Sequence, residues 1–290
     1  MTNTKLSAIV AGTMNWGVWD KNLSVSEMES MIHICLENGI FTFDHADIYG
    51  SYTTEAQFGK AFVESKIDRD KMQLISKCGI QLLSENRNNA IKHYNYDKNH
   101  IIWSVENSLK NLKTDYLDVL LLHRPSPLMQ ADEIAEAIEK LKSQGKILDF
   151  GLSNFTSSQT ELIHHKTTVS YNQIQFSASH FEPMIDGSLD FMQVNNIRPM
   201  SWNPLGNVFK VDNEQTRRLK ILLAKLVDKY HLGADTILLS WILQHPAKAI
   251  PIAGTVNVAR IQSLMKATTL QLTTEEWFAI WTASKGNEVD

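Results

Sequence analysis

Asp44, Tyr49, Lys77 and His123 each follow an apolar run of the chain. Asp44 and Tyr49 come after Ile40 to Phe43, Lys77 sits near the end of the run from Lys71 to Cys78, and His123 follows Tyr116 to Leu122. Ionisable groups are seldom set beside a core without partners. Together these four can move a proton. A tyrosine phenol has an ordinary pKa of about 10, which makes it a poor but usable acid. A lysine ammonium beside it favours the phenolate and lowers that pKa. An aspartate keeps the lysine charged and in place, and a histidine can hydrogen-bond a substrate oxygen. Such a set protonates a carbonyl oxygen while a donor delivers hydride to the carbon. General acid catalysis of this kind supplies on the order of 10² to 10⁴ in rate.

The elements that must carry these groups alternate between strand and helix. Strands are expected at Leu6–Ala11, Ile40–Phe43, Lys71–Cys78, Tyr116–Leu122, Lys146–Phe150, Val169–Ile174, Arg198–Trp202 and Ala249–Ile252. Between them, Met28, Met31, Ile32, Cys35 and Leu36 mark one helical face, as do Leu219, Leu222, Leu223 and Leu226 later. Capping boxes are expected at Ser24–Glu27, Thr54–Gln57, Thr156–Gln159 and Thr273–Glu276. The segment from Gln81 to Tyr96 is polar and reads as a loop. Strand–helix alternation without antiparallel hairpins argues a parallel sheet. Eight units in 290 residues suit one (β/α)8 barrel domain, residues 1–290, a fold that typically takes about 250 residues. A doubly wound sheet is the alternative, but Gly12 to Gly17 lacks its GxGxxG phosphate loop.

In a barrel the C-terminal strand ends share one mouth, where active sites form. There the sequence resembles the aldo-keto reductase superfamily over nearly its full length. The matching motifs are Asp44-His45-Ala46-Asp47-Ile48-Tyr49-Gly50, Ser76-Lys77, Leu122-His123-Arg124-Pro125, Gly151-Leu152-Ser153-Asn154-Phe155, Asn172-Gln173 and Ile250 to Thr255 with Arg260. The resemblance implies reduction of aldehydes or ketones with NADP(H). It implies Tyr49 as proton donor, with Asp44, Lys77 and His123 completing the set. Ser153, Asn154 and Gln173 would hold the nicotinamide carboxamide, and Trp202 would stack on its ring in place of the tyrosine many members have. Asn203, Pro204, Leu205, Gly206, Gly254, Thr255 and Arg260 would surround the phosphates and adenosine, with Gly12, Thr13 and Met14 added from the first loop. No lysine stands near Gly254 and Thr255, so a preference for NADPH over NADH rests on Arg260. Trp16 and Trp19, in a loop at the mouth, are expected to wall the substrate pocket. Short connections after the fourth and seventh strands, and a short tail from Ser284 to Asp290, imply an open pocket.

A formal net charge of −4 gives no basic footprint for nucleic acid. No apolar run reaches the length of a membrane span, and Met1 to Lys5 has no apolar signal region. A soluble cytoplasmic protein, monomeric or weakly self-associating, acting on a small-molecule carbonyl substrate, is expected. Cys35 and Cys78 read as buried reduced thiols, and His164-His165 as a solvated helix face. A barrel hydrolase using Asp44, His45, Asp47 and His123 as metal ligands is a rival. Against it, Lys77 would put a cation where the metal belongs, and no metal is expected. His45, one residue on from Asp44, should face away from the site. A second rival is a nucleotide-binding regulatory subunit with weak turnover, against which the histidine at 123 argues.

Overall fold

The structure is a computed structural model describing residues 4–289; Met1 to Asn3 of the polar N-terminus and Asp290 of the tail lie outside them. Eight strands form the barrel: β1 Val10–Gly12, β2 Thr42–Asp44, β3 Gln73–Cys78, β4 Leu117–Leu122, β5 Ile147–Ser153, β6 Tyr171–Gln175, β7 Arg198–Trp202 and β8 Ile250–Ala253. Each pairs in parallel with its sequence neighbours, and β8 closes on β1 through Val10 opposite Ile252. The expected (β/α)8 architecture is therefore the one observed.

Alternation along each strand decides which side chains enter the barrel. Val119 and Leu121 point inward, where they pack with Val10, Ile75, Tyr171, Met200 and Ile250. Leu120 and Leu122 point outward into the larger core beneath the helices. Gly151 belongs to the tight interior: a Cβ there would lie 2.6 Å from the Tyr171 carbonyl oxygen and 2.7 Å from Leu121 Cδ2.

The helices are α1 Val25–Glu37, α2 Thr54–Ser65, α3 Lys98–Leu112, α4 Ala131–Ser143, α5 Ser157–His164, α6 Ser188–Val194, α7 Glu214–Tyr230, α8 Ala234–Leu243, α9 Val258–Leu264 and α10 Thr274–Lys285. The boxes at Ser24, Thr156 and Thr273 form as expected. The one at Thr54 does not. Thr54 is already helical, and Thr53 directs its hydroxyl back to the Gly50 carbonyl at 2.6 Å instead of capping. Glu55, a helix-start acid by sequence, is buried and accepts from Ser76 Oγ at 2.6 Å.

Two further corrections concern loops. The stretch from Gln81 to Tyr96 is not wholly irregular, because Ile80–Gln81 pairs antiparallel with His93–Tyr94. Strands of two residues are too short to leave a periodicity in sequence. Trp16 is not pocket wall. It is 1% exposed and packs in the outer core, its ring centroid 6.1 Å from those of Phe43 and Phe58. The loop after β1 folds over the β2–α2 junction, so its first tryptophan plugs the core while the second reaches the mouth.

Candidate active site

Inward alternation carries Asp44, Lys77, Ser153 and Gln173 to the C-terminal end of the barrel interior. Lys77 Nζ is the hub. It donates to Asp44 Oδ2 at 2.7 Å, to the His45 carbonyl at 2.8 Å and to Tyr49 Oη at 3.0 Å. Asp44 holds it from one side and accepts from Gln173 Nε2 at 3.0 Å on its other oxygen. That second bond is absent from the sequence reading, which gives Gln173 only a ligand to hold. His123 completes the group, its ring centroid 6.1 Å from that of Tyr49 in an edge-on arrangement. All four side chains are buried.

Tyr49 owes its placement to an unusual turn. Gly50, Ser51 and Tyr52 all have positive φ, a left-handed path that costs energy for the two non-glycine residues. Neighbours fix it. Trp19 Nε1 donates to Ser51 Oγ at 3.2 Å, Asn86 Nδ2 to the Ser51 carbonyl at 2.9 Å, and the Leu82 amide to Tyr52 Oη at 2.7 Å. Trp19 also lies edge-on to the Tyr49 ring at 6.0 Å and is 42% exposed, which puts it at the rim. Neither Asn86 nor Leu82 carries a sequence signal for this role, because both act across long loops.

Burial dominates the electrostatics. It raises the Tyr49 phenol above its ordinary value, and the lowering by Lys77 only partly opposes it. The expectation of a depressed phenol is corrected here: removing the phenolate from water costs more than one nearby ammonium returns. Burial pulls Lys77 down, but Asp44 and Tyr49 outweigh it and leave the ammonium raised. Burial, then the charges of Lys77, Arg124 and Lys92, holds His123 well below 6.5, so its ring is neutral at pH 7. His45 points outward, with Nδ1 2.8 Å from Thr13 Oγ1 and its ring against Phe58, and burial depresses it to about 3. Asp47 lies behind the site. Burial, then the charge of Glu55, raises its carboxyl well above the usual range. Among the described residues no group of three or more His, Cys, Asp or Glu could hold a metal ion.

The remaining sequence-selected residues form the rim. Asn154, in the left-handed region at φ 62°, donates to Ser153 Oγ at 2.7 Å and accepts the Trp202 indole N–H at 2.8 Å. The Trp202 ring, half-buried, is thereby fixed at its edge. The turn from Asn203 through Pro204 and Leu205 to Gly206 closes through the Gly206 amide on the Asn203 carbonyl at 2.8 Å. Gly206 has φ 55°, and a Cβ on it would lie 2.0 Å from Ser179 Oγ. Gly254 is exposed, and a Cβ there would meet only Asn15 Nδ2, at 3.8 Å. Thr255 is half-buried and Arg260 exposed at the start of α9. Gly12 pairs with Asp44 in the sheet, and Met14 is exposed. The Thr13 side chain is closed off from the mouth, its hydroxyl committed to the Asp44 carbonyl and His45.

A closed parallel barrel with this hub at its mouth invites comparison with known proteins. The sequence pattern of the Aldo/keto reductase family matches residues 8–284. The chain belongs to the aldo/keto reductase family. It is 40% identical to the uncharacterized oxidoreductase YcsN of Bacillus subtilis, over 98% of this chain and 96% of that one. It is 34% identical to a 6-dehydroglucose reductase of Agrobacterium fabrum, over 98% and 96%. Among solved structures, an aldo/keto reductase from Klebsiella pneumoniae in complex with NADP and acetate aligns with a TM-score of 0.77 at 22% identity, over 95% of this chain and 90% of that one. This aldo/keto reductase is thus an oxidoreductase enzyme.

Proposed function

We propose that this aldo/keto reductase reduces the carbonyl of an aldehyde or ketone to an alcohol, with NADPH as hydride source and Tyr49 as proton donor. The buried chain from Asp44 through Lys77 to Tyr49 carries the reading. The phenol is kept protonated by burial, so a proton is available at neutral pH. Lys77 stands 3.0 Å away to stabilise the phenolate once that proton leaves. Neutral His123 beside the ring can donate a hydrogen bond to the carbonyl oxygen without competing as a stronger acid. Asp44, held by Gln173, keeps the ammonium aimed.

The rim fits an extended dinucleotide. Ser153 and Asn154 offer amide and hydroxyl partners to a carboxamide, with Gln173 beside them. Trp202 offers a ring whose edge is already fixed. Asn203, Leu205, Gly206, Gly254 and Thr255 offer small or turning backbone, and Arg260 an exposed guanidinium suited to a 2′-phosphate. The cofactor supplies the hydride when bound. The NADP complex of the Klebsiella relative supports the choice of cofactor. A rival regulatory role has no comparable observation behind it, because all four groups stand together here.

The test is NADPH oxidation across a panel of aldehydes and ketones, with NADH alongside. Tyr49→Phe removes only the acid, and should lower kcat by about 10² or more while NADPH still binds. Retained kcat in that variant would take Tyr49 out of the mechanism.

A further inference from the structure

Arg124 follows His123 at the end of β4. Its backbone is clamped by one side chain: Tyr96 Oη accepts from the Arg124 amide at 3.0 Å and donates to the Arg124 carbonyl at 2.5 Å. Its guanidinium Cζ lies 5.8 Å from the centroid of the Trp202 ring. Arg124 is half-buried, yet among the described residues no carboxylate stands within ion-pair distance of it and no side chain accepts from it. Tyr96 therefore fixes its backbone, and the guanidinium lies beside the Trp202 ring. Arg87, by contrast, lies over the rings of Tyr52 and Trp103. The charge of Arg124 reaches both Tyr49 and His123. Lys92, exposed on the neighbouring loop, adds a second positive charge that acts on His123. Asp44, the carboxylate acting on Tyr49, is already paired with Lys77. The sector between His123 and Trp202 thus presents positive charge that no carboxylate among the described residues pairs with. A guanidinium is weakly hydrated and offers paired donors matched to a carboxylate or phosphate.

We propose that the carbonyl substrate carries an anionic group, and that Arg124 is the residue that recognises it. The proposal rests on the reductase reading of the same site. The anion sits on the His123 side, a short chain away from the carbonyl that Tyr49 protonates. Lys92 draws it toward the mouth. Arg124 is a specificity residue rather than part of the proton-transfer set.

Matched pairs of aldehydes test this on the full-length protein with NADPH. Succinic semialdehyde against butanal tests a carboxylate, and glyceraldehyde 3-phosphate against glyceraldehyde tests a phosphate. The wild-type kcat/KM should favour the anionic member of at least one pair by about tenfold or more. Arg124→Gln should reduce that ratio by about 10- to 100-fold, mostly through KM, as expected for loss of a charge-assisted bond. Arg124→Lys should recover part of it. Three results would overturn the proposal. One is no anionic preference in the wild type, a comparison that needs no variant to fold. Another is an equal loss on both members of each pair. The third is a rise in the NADPH dissociation constant that matches the loss of turnover, which places Arg124 on the cofactor. Turnover of butanal without any anionic preference defeats this proposal alone. Absence of turnover on every aldehyde defeats the reductase reading and this proposal with it.

Discussion

Tyr49 is the residue where opposing effects are most evenly set against each other. Burial raises its phenol, Lys77 lowers it, and burial wins. The sign for catalysis follows. With Tyr49 as the proposed proton donor, reduction draws on the protonated phenol, which burial preserves to a pH above the ordinary value of about 10. The kcat for reduction should therefore stay flat from about pH 6 to about pH 9. Oxidation of the alcohol needs the phenolate and should climb through the alkaline range. His123, held well below 6.5, should add no inflection near that pH. Profiles of kcat in both directions check this, and a fall in reduction between neutrality and about pH 9 would mean that Lys77 prevails over burial.

At the level of elements, the barrel depends on buried polar joints as well as on apolar packing. Asp118 interrupts the apolar run of β4, and it is buried there with two partners. Arg69 Nη2 donates to it at 2.6 Å and the Leu74 amide at 2.8 Å, tying the start of β3 to β4. Removing one partner of such a joint leaves the other charge unmatched. Asp118→Ala should cost about 3–5 kcal/mol by urea denaturation, and Asp118→Asn less, because one acceptor remains. An equal cost for both would assign the effect to the charge alone. The C-terminal helix is joined differently. Trp241 of α8 and Trp277 of α10 stack at 4.9 Å, and each indole N–H donates to the other residue's carbonyl at 3.0 Å.

For the molecule as a whole, the buried acids behind the site contribute to how stability responds to pH. The carboxyl of Asp47 is raised by burial and then by Glu55, and Glu55 is itself raised by burial. A raised folded value means the folded state binds more protons than the unfolded one. The stability this gives is complete below the unfolded value near 3.8 and is lost as pH rises through the folded value. Asp47→Asn keeps an acceptor for the Ile48 amide and cannot ionise. It should raise Tm at pH 8 relative to wild type, by roughly 2–4 °C for each kcal/mol recovered. The gain should shrink toward pH 4, and thermal melts across that range decide it. A gain independent of pH would trace to packing. No helix among the described residues is long and apolar enough to cross a membrane.

The sequence alone determined the order of strands and helices, because apolar runs, period-3.6 patterns and capping boxes are local. It also determined the residue types at the strand ends, and strict alternation made Asp44, Lys77 and Gln173 face one way and His45 the other. Matters settled across distance were decided only by the tertiary structure. Trp16 and Trp19 share one loop and one residue type, and only the fold over α2 sends the first into the core and the second to the rim. The Thr54 box looks complete in sequence, but the left-handed turn after Tyr49 starts the helix one residue too early for it. The direction of the Tyr49 shift depends on how much water the fold excludes, a quantity that no spacing of Asp, Lys and Tyr contains. Arg124 is visible beside His123 in the sequence. That no carboxylate among the described residues answers its charge depends on where the fold places side chains distant in the chain.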